Sequence, residues 1–180
     1  RMAARKGAGF EVVGLADKIQ SDDFAMKMAH FSASAVKNIQ ALLVQKRLDG
    51  LVEVNNPLDI NPGADDEVHM LSVKYLAQDP GVDAVIVGLD PLSPAMRTLA
   101  DCQAGRYDFK DPGSIAVSIP QLIGQLDKPV VGVVDGGRLY DSLVDELIKK
   151  RVAVFRSSDR AVRALALYIE GRLNAERIKR

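Results

Sequence analysis

Polar and conformationally restricted residues are concentrated between residues 54 and 63, where the sequence reads VNNPLDINPG. The two prolines interrupt regular helix and strand, and the asparagines favour turns. A polar loop of fixed shape at the tip of a strand is a common place for ligand binding in α/β proteins. Asn56 and Asp59 are therefore candidate binding residues, and an ordinary turn is the alternative.

Three aspartates, Asp59, Asp90 and Asp135, fall at the predicted ends of strands. Carboxylates at neighbouring strand ends are typical of the acidic pocket of phosphoacceptor receiver domains. Receivers place two acidic residues after their first strand, and here that position reads Lys6-Gly7. The sequence therefore does not predict a receiver, and it contains no Ser-His-Asp or Cys-His arrangement for nucleophilic catalysis.

Ser93 and Pro94 form a helix-start signal, and they predict a helix that runs to about residue 104. The first N–H groups of a helix have no helical partners, and the positive end of the helix dipole favours an anion there. A well-capped helix with water on its amides is the alternative. If the anion site is used, the residues that face the anion are Ser93, Ala95, Met96 and Arg97.

Histidine and cysteine do not suggest a catalytic or metal-binding arrangement. His30 and His69 have no partner at a metal-ligand spacing, and Cys102, the single cysteine, lies inside the helix predicted from Ser93. We therefore expect no metal site and no catalytic side chain in this chain.

Glycine-containing loops follow two further apolar segments. The loop at residues 7–11 reads GAGFE, which lacks the third glycine of a dinucleotide fingerprint, and the sequence contains no GxxxxGK[ST] motif. Both loops are still strand ends, where ligands bind in parallel sheets. The candidate residues that they add are Gly7, Gly9, Glu11, Gly136 and Gly137.

The balance of charge excludes some functions. Lys+Arg and Asp+Glu both number 24, so the formal net charge is zero, whereas binding to nucleic acid or to anionic membranes needs a basic excess. One cysteine excludes an internal disulfide and fits a reducing cytoplasm. No apolar run approaches the roughly 20 residues that span a bilayer. We expect a cytoplasmic protein that binds neither nucleic acid nor membrane.

Length and the first residue set the expected domain organisation. The 180 residues suit one domain, residues 1–180. Because the sequence begins with Arg1 instead of Met, we expect this domain to be a piece of a longer chain.

Short apolar segments alternate with helical segments along the chain. The apolar segments predict five strands, at residues 2–6, 51–54, 82–89, 129–134 and 152–155. The intervening segments predict helices at residues 9–19, 34–49, 65–79, 93–104 and 139–148, one that ends near residue 126 and is either kinked at Pro120 or starts there, and a last one capped by Ser157 or Ser158.

Right-handed crossovers between such strands predict an α/β fold, a flavodoxin-like doubly wound five-stranded parallel sheet with the strand order 2-1-3-4-5 and a three-layer α/β/α arrangement. The loops at residues 7–11, 55–59, 90–94 and 135–141 should then converge on the carboxyl edge of the sheet.

Several segments, taken in order, resemble the NDP-forming (ADP-forming) acyl-CoA synthetases of the succinyl-CoA synthetase superfamily. The matching segments are GAGFE at 7–11 with AD at 16–17, NPLDI at 56–60 with Pro62, DPGVDAV at 79–85, KPVV at 128–131 and VAVFRSSDRAVRAL at 152–165. Together they extend over nearly the whole chain.

The resemblance implies the second ligase-type, flavodoxin-like domain of such an enzyme. The complete enzyme interconverts acid, CoA and ATP with acyl-CoA, ADP and phosphate through a phosphohistidine, and the N-terminus of a helix in this domain helps to hold the phosphate. That helix corresponds by position to the one predicted from Ser93. The chain departs from the family where residues 90–94 replace a Gly-Gly pair and where Gly7 replaces an asparagine. Asp90 would repel a phosphate.

The same resemblance implies cofactors and partners. No cofactor is expected on this domain alone, whereas CoA and ATP or ADP with Mg are expected in the full enzyme. The expected partners are the CoA-binding, phosphohistidine and ATP-grasp domains of that enzyme, and a homo-oligomer stays open. We therefore expect the isolated chain to be inactive.

Two other functions stay open. The first is a non-catalytic regulatory or assembly module, such as the synthetase-like part of a protein acyltransferase. The second is a free-standing binder of a small anion or a flavin, which is disfavoured because the loop at residues 7–11 is not the Ser/Thr-rich phosphate loop of a flavodoxin.

Overall fold

The computed structural model describes residues 1–6, 17, 19, 26–100 and 108–179. Its strands all run parallel in one sheet with the order β2-β1-β3-β4-β5, which is the order expected. The strands are β1 (Met2–Lys6), β2 (Leu58–Asp59), β3 (Ala84–Gly88), β4 (Val130–Val133) and β5 (Ala153–Phe155).

Helices follow the strands and cover the sheet, which confirms the predicted α/β class. Three of them begin at a side chain that accepts a backbone N–H: Ser32 accepts from Ala35, Asp65 from Val68, and Ser157 from Arg160. The helices of the described residues are α1 (Ala33–Gln45), α2 (Asp66–Gln78), α3 (Ile115–Ile123), α4 (Asp141–Lys149) after a 3₁₀ turn at Arg138–Tyr140, and α5 (Ser158–Ile178).

The core lies on both faces of the sheet. In β3, Val85 and Val87 belong to the larger cluster on the side of α1 to α4, whereas Ala84 and Ile86 belong to the smaller cluster that includes the buried residues of α5. This alternation gives three layers, and it explains why β3 is apolar at every position and fully buried.

The predicted strand at residues 51–54 is wrong, because the chain joins the sheet only at β2. Asn56, just before β2, pairs with β1 through its side chain. Its Oδ1 accepts from the Ala4 N–H at 3.0 Å and its Nδ2 donates to the Met2 carbonyl at 2.8 Å. A peptide group of a parallel neighbour would bond the same two groups. A side chain therefore takes the place of the strand, and Asn56 is a structural residue.

The helix predicted from Ser93 is also wrong, since residues 93–100 form turns and irregular structure. The Ser93 hydroxyl donates to the Pro62 carbonyl at 2.6 Å instead of capping a helix, and Met96 is fully buried. Ser-Pro begins turns as readily as helices, and these tertiary contacts select the turn. The first helix after β3 in the described residues is α3.

Pro120 lies inside α3, which therefore starts before it. Proline has no N–H, so the carbonyl four residues earlier, that of Ala116, loses its helical donor. The Lys150 Nζ, at the end of α4, donates to that carbonyl at 3.0 Å. A side chain of the next helix thus satisfies the group that proline exposes.

No helix in the described part of the chain combines the length and apolar character needed to cross a membrane.

Candidate functional site

Some of the loops that were expected at the carboxyl edge of the sheet lie there. Asp59 ends β2, Asp90 follows β3, and Gly136 and Gly137 follow β4. Asn56 does not lie at this edge, because its side chain bonds the Met2 carbonyl at the opposite end of β1. Gly7, Gly9 and Glu11 lie outside the described residues.

Arg156, directly after β5, fixes the loop that follows β4. Its Nη2 donates to the carbonyls of Gly136 and Gly137, the latter at 3.1 Å. Its Nη1 forms an ion pair with Asp141 at 3.2 Å. A guanidinium binds several acceptors in one plane, so this one side chain fixes the carbonyls of both glycines and the start of α4 relative to β5.

Gly136 marks a close approach between the loops after β3 and β4. A Cβ atom on Gly136 would lie 2.5 Å from the Tyr140 ring and 2.8 Å from the Pro91 ring, whereas a Cβ atom on Gly137 would meet nothing within 4 Å. The two loops therefore pack against each other. Each presents a solvent-exposed leucine: Leu92 is 73% exposed and Leu139 is 68% exposed.

Two titratable groups at this edge have pKa values that their surroundings shift. Burial raises the pKa of Asp59, and burial together with the nearby charge of Asp90 raises the pKa of Tyr140. The Asp90 carboxylate accepts the Leu92 N–H at 3.1 Å. Among the described residues, no three His, Cys, Asp or Glu side chains could hold a metal ion together. Exposed leucines beside carboxylates suit contact with another protein surface better than phosphate binding.

A second concave region lies at the N-termini of α2 and α3. It is a cleft of about 440 Å³, and the residues that line it include Asp66, Ala95, Arg97 and Ser118. Of the four residues predicted to face an anion, Ala95 and Arg97 reach this cleft. Ser93 and Met96 are buried elsewhere in the turn.

Asp66 occupies the start of α3. Its Oδ1 accepts the Ile115 N–H at 2.6 Å, and its Oδ2 accepts the Arg97 N–H at 3.1 Å. The Arg97 Nη1 is 3.6 Å from the same Oδ2, and Asp66 is only 2% exposed. Burial raises the pKa of Asp66, and the two N–H donors together with the guanidinium oppose that rise.

The start of α3 carries a local sequence signal, which agrees with the expected helix that ends near residue 126 and is kinked at Pro120. Pro112, Gly113 and Ser114 precede the apolar positions of α3, and a serine before such a stripe is typical of a helix start. Ser114 is the N-cap residue, although its hydroxyl donates to the Phe109 carbonyl instead of accepting from the helix. No local signal connects Asp66 to this helix, because the contact spans 49 residues.

Comparison with known proteins gives matches among solved structures. No family model matches the sequence, and no curated protein does. The dinucleotide-forming acetyl-coenzyme A synthetase 1 of Ca. Korarchaeum cryptofilum, in its apo form, matches 99% of this chain with a TM-score of 0.76 and 22% identity. The same enzyme in complex with phosphate and ADP gives the same values. PH0766 from Pyrococcus horikoshii OT3 matches 90% of the chain with a TM-score of 0.71 and 20% identity.

The chain spans about a third of the length of these solved chains, 33% to 35%. Its fold is thus found as one part of larger proteins, and the fold expected from the sequence resemblance is confirmed. At 20% to 22% identity, the likeness is one of fold.

Proposed function

We propose that this chain is a flavodoxin-like domain of an NDP-forming acyl-CoA synthetase and that it serves the enzyme as a docking domain. The observation that carries the proposal is the likeness over 99% of the chain to an acetyl-coenzyme A synthetase of which it matches 35%. The order of the sequence segments that resemble this family supports the same assignment.

In this proposal the chemistry belongs to the partner domains. The CoA-binding, phosphohistidine and ATP-grasp domains hold CoA and ATP or ADP with Mg, and they pass the phosphoryl group between acyl phosphate, histidine and nucleotide. This domain supplies a rigid surface at the carboxyl edge of its sheet. The exposed side chains of Leu92 and Leu139 support that role, and so does the Arg156 contact that fixes the loop beneath Leu139.

The proposal is tested by reconstitution of the parent enzyme. Thiol consumption that depends on ATP, acid and CoA is measured for this chain alone, for the partner domains alone and for the assembled enzyme. We expect turnover only from the assembly. Turnover by the isolated chain, or equal turnover by the partner domains without it, would overturn the proposal.

The docking surface is tested with one charge substitution and its matched control. Leu139→Asp places a carboxylate on the proposed surface, so we expect weaker assembly in sedimentation and a corresponding loss of acyl-CoA formation. Leu167→Asp is the control, because Leu167 is also exposed, at 55%, but lies roughly 14 Å along α5 from its start. Equal behaviour of the two variants would remove the docking surface from this edge.

One observation favours a second function, a non-catalytic regulatory or assembly module such as the synthetase-like part of a protein acyltransferase. The helix expected from Ser93 to hold phosphate is not formed, and Asp66 already occupies the start of α3, the first helix after β3 in the described residues. An acetyltransferase domain encoded in the same reading frame would support this second function, whereas an adjoining ATP-grasp module would support the ligase.

A further inference from the structure

The N-terminus of α3 already binds an anion, and the chain itself supplies it. One carboxylate oxygen of Asp66 accepts the first helical N–H of α3, from Ile115, at 2.6 Å, and the other accepts the Arg97 N–H at 3.1 Å. At 2% exposure the carboxylate is almost fully removed from solvent. A helix start with two N–H groups and a guanidinium is the kind of site that phosphate takes.

Two further N–H groups at the start of α3 are also used internally. The N–H groups of Val117 and Ser118 both donate to the Ser114 carbonyl, at 3.1 Å and 2.9 Å. An external anion would therefore have to displace Asp66 to reach the Ile115 N–H.

The charge of the cleft in front of this helix opposes a second anion. The charged residues that line it are Asp65, Asp66, Glu67 and Arg97, three carboxylates and one guanidinium. The Arg97 guanidinium also lies 3.4 Å from Asp111, so it is shared between two carboxylates. Lys46 pairs with Asp65 and Glu67 at the rim, at 2.8 Å and 2.6 Å, and is engaged there.

We propose that Asp66 is an internal anion that closes the N-terminus of α3 to phosphate. The contact is autoinhibitory for anion binding: it makes α3 a structural helix, and a phosphohistidine would meet a buried carboxylate at this helix start. This inference rests on the proposed function only for the identity of the phosphate that is kept out.

The test measures backbone amides of the labelled domain by NMR while inorganic phosphate is added. In the wild type, the amides of Arg97 and Ile115 should show no saturable shift. Asp66→Ala vacates the carboxylate position, and we expect saturable shifts at the same two amides, with a Kd at least about tenfold below the lower limit that the titration sets for the wild type. Asp66→Asn keeps the space filled and should behave as the wild type does.

The matched control is Asp111→Asn, which removes the more exposed carboxylate on Arg97 and leaves Asp66 in place. It should not create phosphate binding. Asp66→Ser serves as the opened variant if Asp66→Ala does not fold. Saturable phosphate shifts at Ile115 in the wild type would overturn the inference, and so would an opened, folded variant that gains none. Either result leaves the reconstitution test of the docking function untouched.

Discussion

Gly136 and Gly137 are neighbours, and replacing each with alanine should change the stability of the protein in opposite directions. In Gly136→Ala the new methyl group would lie 2.5 Å from the Tyr140 ring and 2.8 Å from the Pro91 ring. Tyr140 is 8% exposed and Pro91 is buried. In Gly137→Ala the methyl group meets nothing within 4 Å, and the backbone there, with φ −70° and ψ −170°, is open to any residue.

The magnitude follows from these contacts. Separations below 3 Å cannot be kept, so the loops after β3 and β4 must move apart in Gly136→Ala. Such overpacking costs about 1–3 kcal/mol, which corresponds to a melting temperature lower by about 2–12 °C for a chain of this size. Gly137→Ala should change the stability by between zero and about 1 kcal/mol in the favourable direction, because the unfolded chain loses freedom.

The assay is urea unfolding of the two variants and the wild type, followed by circular dichroism, with assembly of the parent enzyme as a second readout. Gly136→Ala should also weaken assembly, since it displaces the loops that carry Leu92 and Leu139. Equal unfolding midpoints for Gly136→Ala and Gly137→Ala would refute the packing argument. A destabilised Gly136→Ala that assembles normally would refute the link between this packing and docking.

Three further substitutions test other parts of the fold. Lys150→Met should lower the free energy of unfolding by about 1–3 kcal/mol, because the buried Ala116 carbonyl loses its donor. In a Pro120→Ala background, which restores the helical N–H, the loss should be clearly smaller, and additive losses in urea unfolding would contradict this. Asn56→Ala should cost about 2–4 kcal/mol through three lost hydrogen bonds, whereas Asn55→Ala, on an exposed residue, should stay within about 0.5 kcal/mol. Folding raises the pKa of Asp66. The stability of the wild type relative to Asp66→Asn should therefore rise as the pH falls through that raised pKa, and it should level off below the pKa of an unfolded aspartate, about 3.9. A difference in urea unfolding that does not change with pH would contradict this.

Strands and helices with strong local signals were predictable from the sequence. The apolar run at residues 82–89 contains β3, Ala84–Gly88, because this strand has no polar side chain and is stable only when both of its faces are covered. Asp65 begins α2 as expected, because its side chain caps the helix. The helix ends at Gln78 because Pro80 cannot continue it.

The errors lie where distant residues decide the local structure. Ser93 carries the same signal for a helix and for a turn, and its bond to the Pro62 carbonyl, 31 residues away, selects the turn. The carboxylate of Asp66 reaches Ile115 across 49 residues, and no periodicity in the sequence reports such a contact. The helix predicted from Ser93 is not formed, and the first helix after β3 in the described residues is α3, Ile115–Ile123.

The two-residue length of β2 limits how another polypeptide can extend the sheet. An edge strand exposes unpaired N–H and C=O groups, and long flat edges recruit foreign strands and seed aggregation. Here Pro57 and Pro62 flank Leu58–Asp59. The Asn56 side chain bonds the next two groups of β1, the Ala4 N–H and the Met2 carbonyl. In the described residues, a strand from a second molecule would find at this edge the two residues of β2 and the isolated bridge that Met28 forms with Met2. The same short segment that joins the sheet thus protects the molecule against intermolecular sheet growth there.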